Sequence, residues 1–351
     1  MRKIMNLSVV VVLTLLMCLA AGCGDSGEKQ TVSETKMITI TDSSERSVEV
    51  PCPPKRIVVC NSDVAEMICA LGSAESIVGA SDATITDPIM KPKLEGAEDV
   101  GKSFTPSVEK IVSLKPDLVF GYASFLKQDS VDQLEQMGTP IVLLDCYKPE
   151  TMTKDIETLG KILGKEKQAK EYIAVYDKYQ KLITERTKTL SSEEKPLVYL
   201  EGYTDYTVAS GNSGGAQVLA AAGGKNIASD ISDSSAKVSE EWVLSRNPQV
   251  IIKAASSSIP SGYGKSEDAM KEKRKEIMSR PSWGKIDAVK SDKVYLLSSD
   301  IYVGPRMVVG MAYFAKWLHP ELFKDVDPEA IHKEFLQKFH NMEPKGVWTY
   351  P

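Results

Sequence analysis

With 351 residues, 42% of them hydrophobic and 26% charged, the chain is too long for one ordinary domain and has enough apolar material for two cores. Its formal net charge is -5, and no block rich in lysine and arginine stands out. The composition therefore predicts two globular domains and argues against a nucleic-acid partner.

The N-terminus predicts an export signal. Two basic residues precede an apolar run at Leu7–Leu19, and small residues follow it. The quartet Ala20-Ala21-Gly22-Cys23 resembles a bacterial lipobox, which implies cleavage before Cys23 and attachment of a diacylglyceryl group to it. The alternative is an uncleaved membrane anchor, for which the run is short. We therefore predict a signal peptide at 1–22, a flexible polar tether at 23–36 and a lipid-anchored, extracytoplasmic protein.

Residues 37–164 predict an N-terminal α/β lobe. After a hairpin-like segment, short apolar runs typical of buried parallel strands alternate with helices. Strands are expected at 56–60, 77–80, 117–121 and 141–145. Helices are expected at 64–71, at 131–137 and from Pro106 onward. Asp63 and Glu66 have the spacing of a capping box at the start of the first helix.

The carboxyl ends of these strands form the expected binding edge, because open parallel sheets bind their ligands there. This edge provides five candidate ligand-binding residues: Asn61, Ser62, Lys102, Phe104 and Tyr122. Lys102 would suit an anion, and each aromatic residue is either a ligand contact or a packing residue.

Residues 165–192 predict a single connecting helix. The stretch from Glu166 to Leu190 has no glycine or proline, and its apolar residues recur at helical spacing. Its position between two lobes favours a connecting role, with a surface helix of one domain as the alternative. Residues 193–351 predict a C-terminal lobe of the same kind, with strands at 196–200 and 250–253 and a last strand at 293–297.

Three residues of this second lobe are further candidates for ligand binding: Tyr203, Tyr302 and Arg306. A guanidinium group can bind a carboxylate or phosphate with two hydrogen bonds and stays charged at ordinary pH. The alternative role of Arg306 is a structural ion pair at the start of a predicted helix, 305–318.

One stretch occurs twice, as Glu109–Phe120 and again as Glu241–Ile252, without a gap. Each copy predicts a short helix, a break marked by proline and a buried strand, so the two lobes have related structures. Both copies begin with a glutamate in the first helical turn. A carboxylate there is favoured by the helix dipole, and a contact with a partner protein is the alternative role.

The chain predicts no metal site of its own. The cysteines that remain after removal of the signal are not closely spaced, and we favour unpaired thiols at Cys52, Cys60, Cys69 and Cys146. All three histidines lie in the C-terminal tail, away from the predicted binding edge: His319, His332 and His340.

Several motifs in order resemble class III substrate-binding lipoproteins of ABC importers, which capture iron–siderophores, haem, vitamin B12 and some oxyanions. The motifs are Pro54–Val58, Ala65–Gly72, Ile77–Gly79, Val100–Pro106, Glu109–Val119, Lys293–Tyr295 and Gly304–Arg306. The resemblance covers 37–323. It implies an α/β fold of two Rossmann-like lobes, with central and mainly parallel sheets, joined by a single long helix.

The resemblance also implies partners. In this family an acidic residue on each lobe contacts arginines of the permease subunits, and Glu109 and Glu241 occupy the corresponding motif positions. A monomer attached to the membrane by its lipid anchor would then deliver its ligand to the permease.

The leading functional hypothesis is capture of an iron complex, such as a siderophore or haem, or of a corrinoid in the cleft between the lobes. A binder of a small oxyanion such as molybdate or tungstate is the alternative. An enzyme of metal-cluster or chelatase type is less favoured, because no Ser/His/Asp order, phosphate-binding loop or cysteine cluster supports catalysis. We expect no cofactor other than the captured ligand.

Overall fold

A computed structural model describes residues 36–211 and 213–351. The predicted signal peptide, Cys23 and the tether up to residue 35 lie outside the described residues. In the part of the chain that is described, no helix is both long and apolar enough to cross a membrane.

The N-terminal lobe is built on a five-stranded, all-parallel sheet. Its strands and hairpins are β1 (Lys36–Thr41), β2 (Ser47–Cys52), β3 (Ile57–Val59), β4 (Ile77–Ala80), β5 (Glu98–Asp99), β6 (Gly101–Lys102), β7 (Thr105–Pro106), β8 (Leu118–Gly121) and β9 (Ile141–Leu143). Its helices are α1 (Ser62–Ala70), α2 (Asp82–Thr86), α3 (Val108–Ser113), α4 (Gln128–Gln136) and α5 (Met152–Leu163). The sheet order is β5-β4-β3-β8-β9, and β1-β2 and β6-β7 form separate antiparallel pairs.

This lobe confirms the four predicted strands and corrects one local expectation. Segment 101–106 forms the small β6–β7 hairpin, where Gly101 has a φ of +97° that only glycine adopts freely. The predicted capping box at Asp63 is wrong, because the side chain of Asn61 caps α1 by accepting hydrogen bonds from the amides of Asp63 and Val64.

The connecting helix α6 spans Glu166–Thr187, three residues short of the predicted end. Its buried side, which includes Tyr172 and Tyr176, packs on α5 of the first lobe and on helices of the second. The Tyr172 hydroxyl donates a hydrogen bond of 2.8 Å to the carbonyl oxygen of Pro305. The prediction of two lobes joined by one long helix is therefore confirmed.

The C-terminal lobe has a seven-stranded sheet with a parallel centre. The strands of this sheet are β10 (Leu197–Glu201), β11 (Thr207–Ala209), β12 (Lys225–Asn226), β13 (Ser235–Lys237), β14 (Val250–Ala255), β16 (Val294–Ser298) and β18 (Thr349–Tyr350). Strands β15 (Gly262–Tyr263) and β17 (Gly346–Val347) form a separate antiparallel pair. Its helices are α7 (Gly214–Ala221), α8 (Glu240–Arg246), α9 (Asp268–Met278), α10 (Asp287–Lys290), α11 (Ser299–Tyr302), α12 (Met307–Leu318) and α13 (Pro328–Phe335). Strands β10, β14 and β16 run parallel to one another.

The expectation that β16 is the last strand is wrong. Residues 349–350 return to form β18, which pairs antiparallel with β16 and covers the edge of the sheet. A strand of two residues, here Thr349 and Tyr350, is too short to be distinguished from a loop in the sequence.

The repeated stretch has the same local structure in both lobes. Ser107 caps α3 and Ser239 caps α8, each accepting a hydrogen bond from an amide three residues later. The residue before proline has a positive φ angle in both copies, 48° at Lys115 and 40° at Asn247. A buried parallel strand follows each proline, β8 in one lobe and β14 in the other.

Candidate ligand-binding cleft

Four aromatic rings form a cluster at the carboxyl edge of the N-terminal sheet. Phe104 lies 5.2 Å from Phe125 and 5.7 Å from Tyr122, measured between ring centroids. Tyr147 lies 5.7 Å from Phe125 and 6.2 Å from Tyr122. Phe104 and Phe125 are 49% and 45% exposed, although both are large apolar side chains. Exposed rings supported by buried tyrosines form an apolar surface suited to a flat or bulky ligand.

The cluster stands beside a hydrogen-bonded group of polar side chains. The Tyr122 hydroxyl donates to Oδ2 of Asp63 at 2.8 Å and lies 3.0 Å from Oγ of Ser62. Burial raises the pKa of Asp63 to about 7, although the hydrogen bond from Tyr122 opposes this shift. Ser62 and Tyr122 therefore lie next to each other at the predicted binding edge. Asp63 belongs to the same hydrogen-bonded group, although the sequence analysis assigned it only to helix capping.

The loop that carries Phe125 is held by a buried carboxylate. Asp145, which follows β9 and is 3% exposed, accepts hydrogen bonds from the amides of Ala123 and Ser124 and from the Ser124 hydroxyl. Nζ of Lys148 lies 2.9 Å from Oδ2 of Asp145 and forms an ion pair with it. Phe125 and Tyr147 follow strands of the sheet, so the rule that selected Tyr122 could also have selected them.

Two tyrosines form the corresponding surface on the C-terminal lobe. Tyr203, in the loop after β10, is 43% exposed, and its ring lies 5.9 Å from that of the buried Tyr302. Tyr302 is two residues before Gly304, where a Cβ would lie 2.5 Å from Oδ1 of Asp63 in the N-terminal lobe. This close approach places the surface formed by the two tyrosines beside the N-terminal lobe.

A fully buried lysine fixes the backbone of the Tyr203 loop. Nζ of Lys253 donates to the carbonyl oxygen of Gly202 at 2.7 Å and lies 3.1 Å from Oδ1 of Asp205. Glu201, also fully buried, receives a 2.8 Å hydrogen bond from Arg280. The sequence analysis placed Lys253 in a predicted strand. An apolar run gives no sign that the ammonium group of a lysine within it lies inside the protein.

Arg306 does not line the cleft. It is 1% exposed, and its Nε and Nη2 donate to the two carboxylate oxygens of Glu66 at 2.7 and 3.2 Å. Its Nη1 lies 3.1 Å from Nε2 of His332. The structure therefore corrects the expected ligand contact: Arg306 has the alternative role, a structural ion pair, and it joins the two lobes.

The Glu66–Arg306 pair has strong electrostatic coupling. Burial alone would raise the pKa of Glu66, but Arg306 and His340 hold it well below its usual range. Burial lowers the pKa of both His332 and His340, and the Arg306 cation lowers them further. Both histidines are buried, so this network is one charged pair surrounded by neutral imidazoles.

Asn61 is also unavailable to a ligand. It is fully buried, and its amide donates to the carbonyl oxygens of Leu144 and Asp145 at 2.5 and 3.3 Å while its oxygen caps α1. The expected ligand contact at Asn61 is corrected for this reason. Lys102 and Phe104 lie on the β6–β7 hairpin and are exposed, as a ligand contact requires.

The two repeated glutamates occupy equivalent positions. Glu109 and Glu241 are both exposed second residues of helices that begin after a serine cap. Neither makes an ion pair within the described part of the chain. This symmetry agrees with either role, helix stabilisation or partner contact, and the contact stays a prediction.

The described residues contain no group of three or more histidine, cysteine, aspartate or glutamate side chains arranged to hold a metal ion. The four cysteines in the described part of the chain are free thiols, and Cys60, Cys69 and Cys146 are buried. Burial raises the pKa of Cys60 and Cys69 to about 12, so both stay protonated.

Two α/β lobes that face each other across an aromatic cleft define a binding protein. The family described as "Periplasmic binding protein" matches residues 57–301, and the chain belongs to this family. The uncharacterized ABC transporter substrate-binding lipoprotein YvrC of Bacillus subtilis is 30% identical, over 89% of this chain and 97% of its own length. The molybdate-binding protein MolA of Haemophilus influenzae is 24% identical, over 87% of this chain and 92% of its own.

Among solved structures, a TroA-like periplasmic binding protein FepB from Veillonella parvula is similar with a TM-score of 0.75 and 28% identity, covering 89% of this chain and 99% of that one. MolA bound to molybdate has the same TM-score at 22% identity, covering 88% and 99%, which shows the shared fold. These matches confirm the predicted fold and the predicted class, the substrate-binding proteins of ABC importers.

Proposed function

We propose that this protein captures a metal complex of an organic chelator, or a corrinoid, in the cleft and delivers it to the permease of an ABC importer. The aromatic cluster carries this proposal. Phe104 and Phe125 expose apolar faces that cost free energy unless they are covered, and Tyr203 exposes a further ring on the other lobe. A metal held by its own chelator needs no protein ligand, which agrees with the absence of a metal-binding group among the described residues.

The oxyanion alternative has less support from the side chains. A bare oxyanion is held by charged and polar donors, and the guanidinium expected for that role is buried against Glu66. Relatives of both kinds exist: one is named for molybdate and another, YxeB of Bacillus subtilis, is named an iron(3+)-hydroxamate-binding protein. The ligand must therefore be identified by measurement.

The experiment is a titration of the purified protein with a ferric siderophore, cobalamin, haem and tungstate, followed by tryptophan and tyrosine fluorescence. We expect quenching with at least one of the first three, together with a visible absorption band that stays with the protein after gel filtration. Binding of tungstate alone would refute the proposal.

We propose further that Glu109 and Glu241 contact the permease. Replacing both with lysine should abolish uptake of the ligand by intact cells and leave ligand affinity unchanged. Glu329→Lys is the matched control, because Glu329 is also an exposed second residue of a helix, in α13 after the cap Asp327. Normal uptake in the double variant would refute the docking role, and loss of uptake in the control would mean that a charge at any helix start matters.

We propose that a lipid on Cys23 holds the protein at the outer face of the membrane or in the periplasm. Cys23→Ala should abolish labelling by a radioactive fatty acid and release the protein from the membrane fraction. Labelling that persists in this variant would refute the assignment.

A further inference from the structure

The N-terminus of α7 lies where the two lobes meet. Its first residue, Gly214, packs so closely on the N-terminal lobe that a Cβ there would lie 2.5 Å from the carbonyl oxygen of Tyr147. Tyr147 is a member of the aromatic cluster. The same Cβ would lie 3.3 Å from Cγ1 of Val303, the residue after Tyr302. The start of α7 therefore borders on both the aromatic cluster and the tyrosine pair of the C-terminal lobe.

The first two amides of α7 are not engaged by its cap. Oγ of Ser213 accepts from the amide of Ala216 at 3.2 Å, and the amide of Gln217 donates to the carbonyl oxygen of Ser213. The amides of Gly214 and Gly215 donate to no group among the described residues, although both glycines are buried. Buried amides at the start of a helix are normally satisfied by a side chain, by water or by a ligand.

A buried hydroxyl group lies at the same place. Tyr302 is 4% exposed, and its hydroxyl is buried without a hydrogen-bond partner in the described part of the chain. It lies against Gly215, because a Cβ added there would overlap the hydroxyl oxygen and the ring carbon that carries it. Burial, with a smaller contribution from Tyr203, raises the pKa of Tyr302, so the hydroxyl keeps its proton and can donate it in a hydrogen bond.

Three neighbouring donors without an acceptor favour a group that has more than one acceptor oxygen. The partial positive charge at the N-terminus of a helix favours an anion over a neutral group, and a carboxylate has enough acceptor sites for all three donors. Asp63 lies beside Gly304, in the same loop as Tyr302, and burial raises its pKa to about 7. It therefore opposes an anion less than an ordinary carboxylate would.

We infer that the amides of Gly214 and Gly215 and the hydroxyl of Tyr302 form a subsite for a carboxylate group of the captured metal complex. This inference rests on the proposed function and narrows its ligand class to complexes that carry a free carboxylate on an apolar body. The body covers the rings of the aromatic cluster, and Tyr147 joins that cluster to the start of α7. Backbone and phenol donors bind the carboxylate, so the subsite does not need the buried guanidinium of Arg306.

The test compares ligands that differ only in the carboxylate. One pair is a ferric trihydroxamate complex with a terminal carboxylate and its methyl ester, and the other is haem and its dimethyl ester. Affinities are measured by isothermal titration calorimetry with the full protein. Because hydrogen bonds to a charged group are stronger than those to a neutral one, we expect the wild type to prefer the acid of at least one pair by about tenfold or more.

Tyr302→Phe removes the hydroxyl and keeps the ring. It should weaken binding of the preferred acid by about tenfold to a hundredfold and leave binding of its ester unchanged. The matched control is Tyr176→Phe, because the Tyr176 hydroxyl is also buried without a hydrogen-bond partner among the described residues, but belongs to the connecting helix α6. The control should change neither affinity. Neither hydroxyl has a partner to lose, so both variants should keep the urea midpoint of the ligand-free wild type.

The outcomes separate the two proposals. Equal affinities of the wild type for acid and ester in both pairs would leave the three donors to bound water and overturn the subsite, while the proposed capture would stand. An equal weakening of acid and ester by Tyr302→Phe, or no weakening of either, would have the same meaning, as would binding of cobalamin alone. Binding of tungstate and of none of the metal complexes would assign the donors to a free oxyanion and overturn both proposals.

Discussion

The ion pair between Glu66 and Arg306 joins α1 of one lobe to the start of α12, and we expect its loss to remove much of the protein's stability. Glu66→Gln leaves a guanidinium that is 1% exposed opposite an uncharged amide. The hydrogen bonds from Nε and Nη2 of Arg306 to the two carboxylate oxygens of Glu66, at 2.7 and 3.2 Å, lose their ionic character. Removing one partner of a buried pair costs about 3–5 kcal/mol. Since native proteins are stable by about 5–15 kcal/mol, this is a large fraction of the total.

A double-mutant cycle isolates the pair from the individual side chains. Arg306→Met leaves the Glu66 carboxylate buried without its cation, so it should cost about as much as Glu66→Gln. The double variant removes both charges. We therefore expect it to be less destabilised than the sum of the single variants by about 1–3 kcal/mol.

The assay is urea unfolding near neutral pH, followed by circular dichroism. The control is Glu171→Gln, because Glu171 forms an exposed pair with Lys167 at 4.0 Å in α6, and such pairs contribute about 0–1 kcal/mol. If Glu66→Gln changed the free energy of unfolding no more than this control does, the pair would not hold the lobes together.

Three further predictions use the same network and the cleft. Two opposing contributions should set the pH dependence of the free energy of unfolding between about pH 8 and 4: the lowered pKa values of His332 and His340 destabilise the fold below about pH 6.5, whereas Asp63, whose pKa burial raises to about 7, stabilises the fold by taking up a proton. Asp63→Asn removes the second contribution, so its urea-unfolding profile should fall more steeply with falling pH than that of the wild type, and parallel profiles would contradict this. Gly304→Ala should destabilise the protein by at least about 1 kcal/mol, since φ is +85° and a Cβ would meet Asp63; an unchanged urea midpoint would argue against this close contact. Phe125→Ala should weaken ligand binding by about tenfold with little loss of stability, because the ring is 45% exposed; a loss of stability without a loss of affinity would make it a packing residue.

The sequence was sufficient for the features that depend on local pattern. Four of the N-terminal strands follow from short apolar runs, and the repeat predicts a short helix, a break at proline and a buried strand in both lobes. These features are set by residues within a few positions of one another. In each of these features, local propensity and the burial of the apolar residues favour the same structure.

The cleft was harder to predict, because its contacts are distant in the chain. Glu66 and Arg306 are 240 positions apart, and nothing near either residue shows that the guanidinium turns inward to meet the carboxylate instead of facing a ligand. Likewise, Asp63 has the spacing of a capping residue, and only the placement of Asn61 releases it for another role. An arginine at the start of a helix can have either orientation, and the side chain it pairs with decides between them.

The burial of Arg306 changes where ligand recognition must come from. A free guanidinium would select anions by charge, but here it is neutralised by Glu66 in a contact that fixes the two lobes relative to each other. Recognition then depends on the exposed rings of Phe104, Phe125 and Tyr203. Rings bind by area and shape. The residue that the sequence favoured as a ligand contact thus shapes the choice of ligand indirectly, because its pairing leaves the cleft without the positive charge that it would otherwise supply.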